Sequence, residues 1–252
     1  MDRRIYKLPF GKDKAPDWIC PTCCNGVLRI MDNTFHFEER TLSKDAHSHE
    51  AWEPEWIEYV YSCLLRCSND ACGEIVANNG IGSVDWYSGY DNNETPVQEW
   101  DEIFSPRYFE PHLIIFKYPD ETPPEIASEI DQSFSLFFSN PASASNHLRI
   151  SLEHLLTFLK VKRQGTKKGK RFFLSLHRRI NLIPIKFEGL KCMLLAVKWL
   201  GNAGSHAKKE ITNDDVLDAY EIMDAVLREI FDNKSKKAKA LAKKINKKKG
   251  PK

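Results

Sequence analysis

Apolar positions along this chain follow two periods. In the amino-terminal part they recur at every second residue. Over Trp56–Arg66, Ile57, Tyr59, Tyr61, Cys63 and Leu65 share one face, which predicts a half-buried strand. Val27-Leu28-Arg29-Ile30 and Thr34-Phe35-His36-Phe37 flank the turn signal Asp32-Asn33 and predict two more strands. Gly73 through Tyr87 predicts another strand, or a hairpin broken at Asn78-Asn79-Gly80. Trp52, Trp56, Tyr59 and Tyr61 read as the aromatic core of this small β module. From Tyr90 to Pro124 six prolines punctuate an acidic, amide-rich stretch, predicting a surface connector with one short strand at His112–Tyr118.

After Pro119 the period lengthens to that of a helix. Ile126, Ile130, Phe134 and Phe137 mark a first helix, opening after Pro123-Pro124 where proline is tolerated. Leu148, Leu152, Leu155, Leu156 and Leu159 mark a second. Phe173, Leu176 and Ile180 mark a third, preceded by a basic loop, Lys162–Arg171. Phe187, Leu190, Leu194 and Val197 mark a fourth, starting soon after Pro184. Val216, Tyr220, Met223, Leu227 and Ile230 mark a fifth, capped by Thr212 with Asp215 three residues on. One apolar stripe per helix predicts a bundle. The expected fold class is therefore α+β: a β module with its connector over 1–118, a helical bundle over 119–232, and a lysine-rich tail over 233–252.

Composition sharpens this picture in two ways. The 252 residues are 42% apolar and 11% aromatic, enough to build real cores. No stretch reads as a signal peptide or reaches the length of a membrane span, so a soluble, cytoplasmic protein with no membrane partner is expected. The net charge of +2 hides an asymmetry, because residues 233–252 hold ten lysines and no acid. Removing those ten leaves the body at −8. The tail and the Lys162–Arg171 loop are the segments suited to RNA phosphates.

Seven cysteines are an odd number, which argues against a closed disulfide framework. Cys20-Pro21-Thr22-Cys23 and Cys67-Ser68-Asn69-Asp70-Ala71-Cys72-Gly73 instead form two knuckles. Each can present two thiolates, and together they complete the tetrahedral set that zinc prefers. Cys20, Cys23, Cys67 and Cys72 are the candidate ligands of a structural Zn2+, with Cys24 and Cys63 as spares. This spacing, with strands between the knuckles, reads as a zinc ribbon carrying an inserted hairpin. His47-Ser48-His49-Glu50 lies in the insertion and reads as a solvated loop.

Between the fourth and fifth helical patterns runs Trp199-Leu200-Gly201-Asn202-Ala203-Gly204-Ser205-His206-Ala207. Its two glycines predict a helix stop followed by a loop. His206 is its proton-transfer candidate. On the second helix Arg149 and Glu153 lie four apart, hence on one face. Packing of the second helix beside the fourth would bring Arg149, Glu153, Asn202 and His206 into one polar cluster.

Pro123-Pro124-Glu125-Ile126, Leu148-Arg149-Ile150-Ser151-Leu152-Glu153, Leu200-Gly201-Asn202-Ala203-Gly204-Ser205-His206 and Ile211-Thr212-Asn213-Asp214-Asp215 together resemble the bacterial domain of unknown function 4145. The resemblance covers roughly residues 119–232. That family is similar to the HEPN helical domains, many of which are metal-independent ribonucleases of toxin–antitoxin and antiphage systems. Their nuclease members carry Arg-Asn-x-x-x-His, shared between two protomers around a phosphate. Asn202 and His206 match its last two named positions, and Gly201 stands where the arginine belongs. Cleavage by a 2′-hydroxyl needs histidine for proton transfer and a cation over the developing charge. Arg149, or less favourably Lys198, would have to supply that cation.

The resemblance thus implies a HEPN-like interaction module, degenerate or non-catalytic, acting in a prokaryotic defence or toxin-type system as a homodimer or within a larger assembly. The alternative is an RNA endonuclease at a dimer interface, with His206 as acid/base, Asn202 as orienter and Arg149, beside Glu153, as phosphate clamp.

Overall fold

A computed structural model of the chain describes residues 2–90, 96–206, 210–232 and 241–247, with only the backbone described for 87–90, 96–98 and 203–206. It is an α+β structure that divides into two compact units, Met1–Ile114 with Phe134–Asn140, and Ile115–Ser133 with Pro141–Lys252.

The strict alternation read at Trp56–Arg66 becomes β3 (Tyr59–Cys67), whose odd-numbered residues from Tyr61 to Cys67 are buried and whose even ones are exposed. It is the hub of an antiparallel sheet. On one edge β1 (Leu28–Ile30) pairs with its carboxyl-terminal end and β2 (His36–Glu39) with its amino-terminal end; on the other edge lies β4 (Ile75–Tyr90), followed by β5 (Pro96–Glu110). The strands flanking Asp32-Asn33 therefore do not form a hairpin with one another. Each finds its partner on β3, in series, because β3 is long enough to serve both.

Two further expectations need correction. Asn78-Asn79-Gly80 does not break the strand; β4 runs through it, and the turn-like residues mark a register shift against β5. Asn78 pairs with Phe109 and Asn79 with Tyr108, but Gly80 pairs with Pro106, so Arg107 is the extra residue of a bulge. The requirement at Gly80 is close approach: a Cβ there would lie 2.2 Å from the Ser105 carbonyl oxygen and 2.8 Å from the Tyr61 ring. The connector from Tyr90 to Pro124 likewise contains the long strand β5, and His112–Tyr118 is not a strand. Glu99, Asp101 and Glu110, among the acids that suggested a surface loop, are exposed residues of this strand.

Aromatic rings fill this unit. Phe104, fully buried, meets Phe35 at 4.8 Å, Phe37 at 5.2 Å and Tyr61 at 5.2 Å between ring centroids, mostly edge to face. The Tyr61 hydroxyl donates to Asn78 Oδ1 (2.8 Å), and Asn78 Nδ2 donates to the Tyr108 carbonyl (2.9 Å), so the polar groups drawn into the core are satisfied. Trp56 is not core: it is 42% exposed, beside His49. A short helix, α1 (Thr41–Ala46), sits in the insertion. There His47 Nε2 bonds Glu39 Oε1 at 2.9 Å, which gives that histidine a structural partner.

The second unit carries the helices. They are α2 (Pro124–Leu136, whose last turn belongs to the first unit), α3 (Pro141–Phe158), α4 (Leu176–Asn181), α5 (Lys191–His206) and α6 (Asn213–Phe231). Leu148, Leu152, Leu155 and Leu156 of α3 are buried, as are Leu194 and Val197 of α5 and Val216, Tyr220, Met223 and Leu227 of α6. The Tyr220 hydroxyl, in the middle of that core, pairs with Ser133 Oγ (2.9 Å), which in turn bonds the Ala144 carbonyl (2.7 Å). Lys160, at φ +59°, ends α3, and the Val161 N–H closes back on the Leu156 carbonyl at 2.9 Å.

The third helical pattern is only half right. Phe173 is the last residue of a strand, not of a helix. Lys162–Arg171 is not a loop but most of a hairpin, β6 (Gln164–Lys167) and β7 (Lys170–Phe173). Lys168 and Gly169 both hold positive φ, +49° and +76°, which makes the two-residue turn whose twist matches paired strands. The fourth pattern opens as a 3₁₀ turn, Ile185–Leu190, before α5 begins. No helix among the described residues is long and apolar enough to cross a membrane.

The capping box at α6 is formed in both directions: Thr212 Oγ1 accepts from the Asp215 N–H, and Asp215 Oδ2 accepts from the Thr212 N–H at 2.9 Å. Thr212→Ala should therefore lower unfolding free energy by about 1 kcal/mol in chemical denaturation, with the denaturant slope unchanged.

Candidate metal centre and the polar helix contact

The first candidate site is built at one end of β3. That strand finishes at Cys67, and the chain turns at once: the Cys72 and Gly73 N–H groups both bond the Asn69 carbonyl, and Gly73 holds φ +62°. Opposite it, the stretch after Trp18 folds back so that the Cys20 N–H reaches the Gly26 carbonyl (2.9 Å) and the Cys24 N–H reaches the Cys20 carbonyl (3.0 Å). The two turns bring Cys20, Cys23, Cys67 and Cys72 together with all four sulfurs within 4.8 Å of one another. Cys20 Sγ lies 3.9 Å from Cys72 Sγ, and Cys23 Sγ lies 3.6 Å from Cys67 Sγ.

Those separations decide between chemistries. A disulfide needs sulfurs about 2 Å apart. Four thiolates about 2.3 Å from one tetrahedral ion stand about 3.8 Å from each other. The observed values match the second, so the four cysteines form a cluster that could hold a metal ion. The backbone supports negative sulfur there. Gly26 N–H and Asn69 N–H point at Cys23 and Cys67 Sγ, each at 3.4 Å. Donation from the Asn25 and Gly26 amides holds the Cys23 thiol down at about 6. Gly26 is required by space, since a Cβ there would sit 2.4 Å from Cys67 Sγ.

The two spares drop out for different reasons. Cys24 adopts φ +54°, the residue that closes the first turn, and its sulfur is not in the cluster. Cys63 is buried in the core of the sheet, where desolvation pushes its thiol up to about 12 and Asn78 Oδ1 lies 3.8 Å away. His47 and His49 join no metal-sized group among the described residues.

The second candidate site lies where α3 packs on α5. The loop expected at Gly201–Gly204 is instead helix, continuous to His206. Gly201 is not a stop signal; it is where the helices touch. A Cβ on Gly201 would lie 2.6 Å from Arg149 Cβ, 2.9 Å from the Ser145 carbonyl oxygen and 3.3 Å from Arg149 Cγ. The Arg149 stem thus covers the position at which the nuclease pattern needs its own arginine. The Arg149 guanidinium turns back along α3, with Nη1 2.7 Å from Glu153 Oε1 and Nε 3.2 Å from Asn146 Oδ1. Asn202 is half-buried on α5, one residue beyond Gly201. The His206 side chain lies outside the described residues. Lys198 is buried, with Nζ 3.2 Å over the Trp199 ring.

Sequence reasoning missed one feature of this unit. Arg179 is buried on α4 and bonds the last turn of α3, through Nη2 to Thr157 Oγ1 (2.9 Å) and Nη1 to the Glu153 carbonyl (3.3 Å). A cation near a helix carboxyl terminus interacts favourably with the helix dipole. The three-residue spacing from Leu176 to Arg179, on a stripe also holding Ile180, was the available signal.

Residues 8–109 match the model of a Domain of unknown function (DUF8608), and residues 131–248 match that of another Domain of unknown function (DUF4145). The second match supports the family resemblance drawn from the helical half, and the first marks the β unit as a different domain. No curated protein and no solved structure matches the chain.

Serine at Cys20, Cys23, Cys67 or Cys72, or Gly26→Ala, should each reduce metal bound per chain in elemental analysis, while Cys24→Ser and Cys63→Ser leave it unchanged. Gly201→Leu should lower stability by about 1–3 kcal/mol in chemical denaturation, because overlap with the Arg149 stem outweighs the roughly 1 kcal/mol that removing a mid-helix glycine returns.

Proposed function

We propose that this chain is a non-catalytic, HEPN-like interaction module whose β unit is a zinc ribbon stapled by one structural ion, acting in a prokaryotic defence or toxin-type system. The observation that carries this reading is the space at Gly201. Phosphoryl-transfer chemistry of the nuclease kind needs a free guanidinium beside the asparagine and histidine. Here the helix contact leaves no room for one at that position, and the nearest substitute, Arg149, is already paired with Glu153. A guanidinium that spends its donors on a carboxylate of its own helix is a poor clamp for a phosphate. Glycine at this point serves the close packing of α3 and α5, which is a scaffold's requirement.

Zinc fits the four-thiolate set, and an ion bound there would crosslink residues about 45 apart in sequence, doing for the β unit what a disulfide does in an oxidising compartment. We assign Cys20, Cys23, Cys67 and Cys72 to hold it. Purified protein should then contain about one zinc per chain.

The test of the helical half is direct. Wild-type protein and His206→Ala are incubated with total RNA in chelator, and neither should degrade it. Degradation by the wild type that disappears in His206→Ala would overturn the non-catalytic reading and restore the endonuclease alternative, with Asn202, His206 and Arg149 in the roles the resemblance implies.

A further inference from the structure

Between Glu153 and Glu188 the chain has ten lysines and arginines and not one acid, in a protein whose body is acidic. The β6–β7 hairpin is the middle of that segment. Side chains alternate across it, so Gln164, Thr166, Arg171 and Phe173 share one face, while Gly165, Lys167, Lys170 and Phe172 share the other. The two faces differ. Phe172 is half-buried and crosses Gly165, where a Cβ would come within 2.9 Å of its ring. On the first face all four residues are exposed, and Phe173 is 74% exposed. Phe173 makes no ring contact among the described residues, so nothing in its own unit explains an aromatic at that place.

Charge on the hairpin is also unspent. Among the described residues no ion pair engages Lys162, Lys167, Lys170 or Arg171. Burial lowers the nearby Arg179 guanidinium from its usual range; the Glu153 carboxylate offsets part of this, and the charge of Arg163 adds a smaller lowering. Positive charge is thus crowded at the hairpin's base. Immediately after it, α4 presents His177, whose ring lies 6.2 Å from that of Trp199, itself 58% exposed on α5.

We infer that the β6–β7 hairpin binds single-stranded nucleic acid, with a base stacked on Phe173 beside Arg171 on the first face, and with Lys162 at the hairpin's base and Lys167 and Lys170 beside its turn contacting the phosphates of a strand that passes over its edge. Unpaired cations close to a bare ring are what such a strand requires: positive charge for the backbone and a π-face for an unstacked base. A duplex keeps its bases stacked and would use only the charge. A membrane surface asks for a continuous apolar face, and here Gln164 and Thr166 share the face with Phe173. The site is separate from the α3–α5 contact and involves no bond cleavage.

The experiment uses the full chain with fluorescently labelled oligo(U) and oligo(dT), each about 12 nucleotides long, a duplex of equal length, and phosphatidylserine vesicles. Anisotropy titrations across a salt series should show both single strands bound more tightly than the duplex, the ratio of the two telling RNA from DNA. Phe173→Ala should weaken binding about tenfold with the salt slope unchanged. Combined Lys162→Gln, Lys167→Gln, Lys170→Gln and Arg171→Gln should flatten that slope by about 0.7 for each phosphate the variant no longer neutralises. These side chains are exposed, so melting curves should stay at wild type. No binding to either oligonucleotide, binding by Phe173→Ala equal to wild type, or binding to vesicles alone would overturn the proposal. Loss of the labelled RNA by cleavage would instead count against the non-catalytic reading and leave the hairpin site standing.

Discussion

Two helices approach no closer than their largest interfacial side chain permits, and at Gly201 that limit is a hydrogen atom. The rest of the helical unit follows from it. With no Cβ in the way, the backbone of α5 settles against the Arg149 stem and the Ser145 carbonyl. Leu148 and Leu152 on α3 can then share a dry core with Leu194 and Val197 on α5. The same hydrogen is what our non-catalytic proposal rests on. A side chain large enough to clamp a phosphate at this position would force the helices apart. The contact that closes the bundle and the residue that a nuclease of this resemblance needs compete for one volume.

The β unit answers a different constraint. Its sheet has a long two-stranded portion, because β3 meets β4 only as far as Gly82, while β4 and β5 go on pairing to Tyr90 and Pro96. A two-stranded ribbon has little core of its own. What anchors the other end is the aromatic cluster around Phe104 and, below it, the four sulfurs. The knuckles sit where β3 ends and before β1 begins, so an ion between them would fix the chain on both sides of the strand that every other strand depends on. Gly26 and Gly73 show how tightly the turns are drawn, one by approach to a sulfur and the other by a left-handed backbone.

What was legible in the sequence was whatever a single local rule dictates. The alternation of β3, the leucine stripe of α3, the Thr212 cap and the paired cysteine spacings each name their own structure. The failures share a cause: residues that usually end an element were here holding it close to a neighbour. Asn78-Asn79-Gly80 looked like a turn and instead runs through β4 opposite a bulge at Arg107, with Gly80 close to the Tyr61 ring. Gly201 and Gly204 looked like a helix stop and lie within α5. Local sequence reports that glycine is present; only the packing says whether its freedom or its smallness is being used. The β6–β7 hairpin was hidden differently, since Lys168 is not among the residues that favour its turn and the strands around it are too polar to show a period.

Charge is distributed against the fold rather than with it. The body of the protein is acidic, yet one hairpin and the tail beyond α6 are almost purely cationic. Surface charge of mixed sign needs no explanation beyond solubility. Segregated charge does, since it sets up self-repulsion that the folded state must tolerate. A hairpin that bears unpaired cations and a bare phenylalanine is costly for a scaffold to keep unless something anionic and flat is there to meet it. The α3–α5 contact, with its guanidinium paired internally, makes no such demand. The physical asymmetry between the two places is why we propose recognition at the hairpin and a packing role for the helix contact.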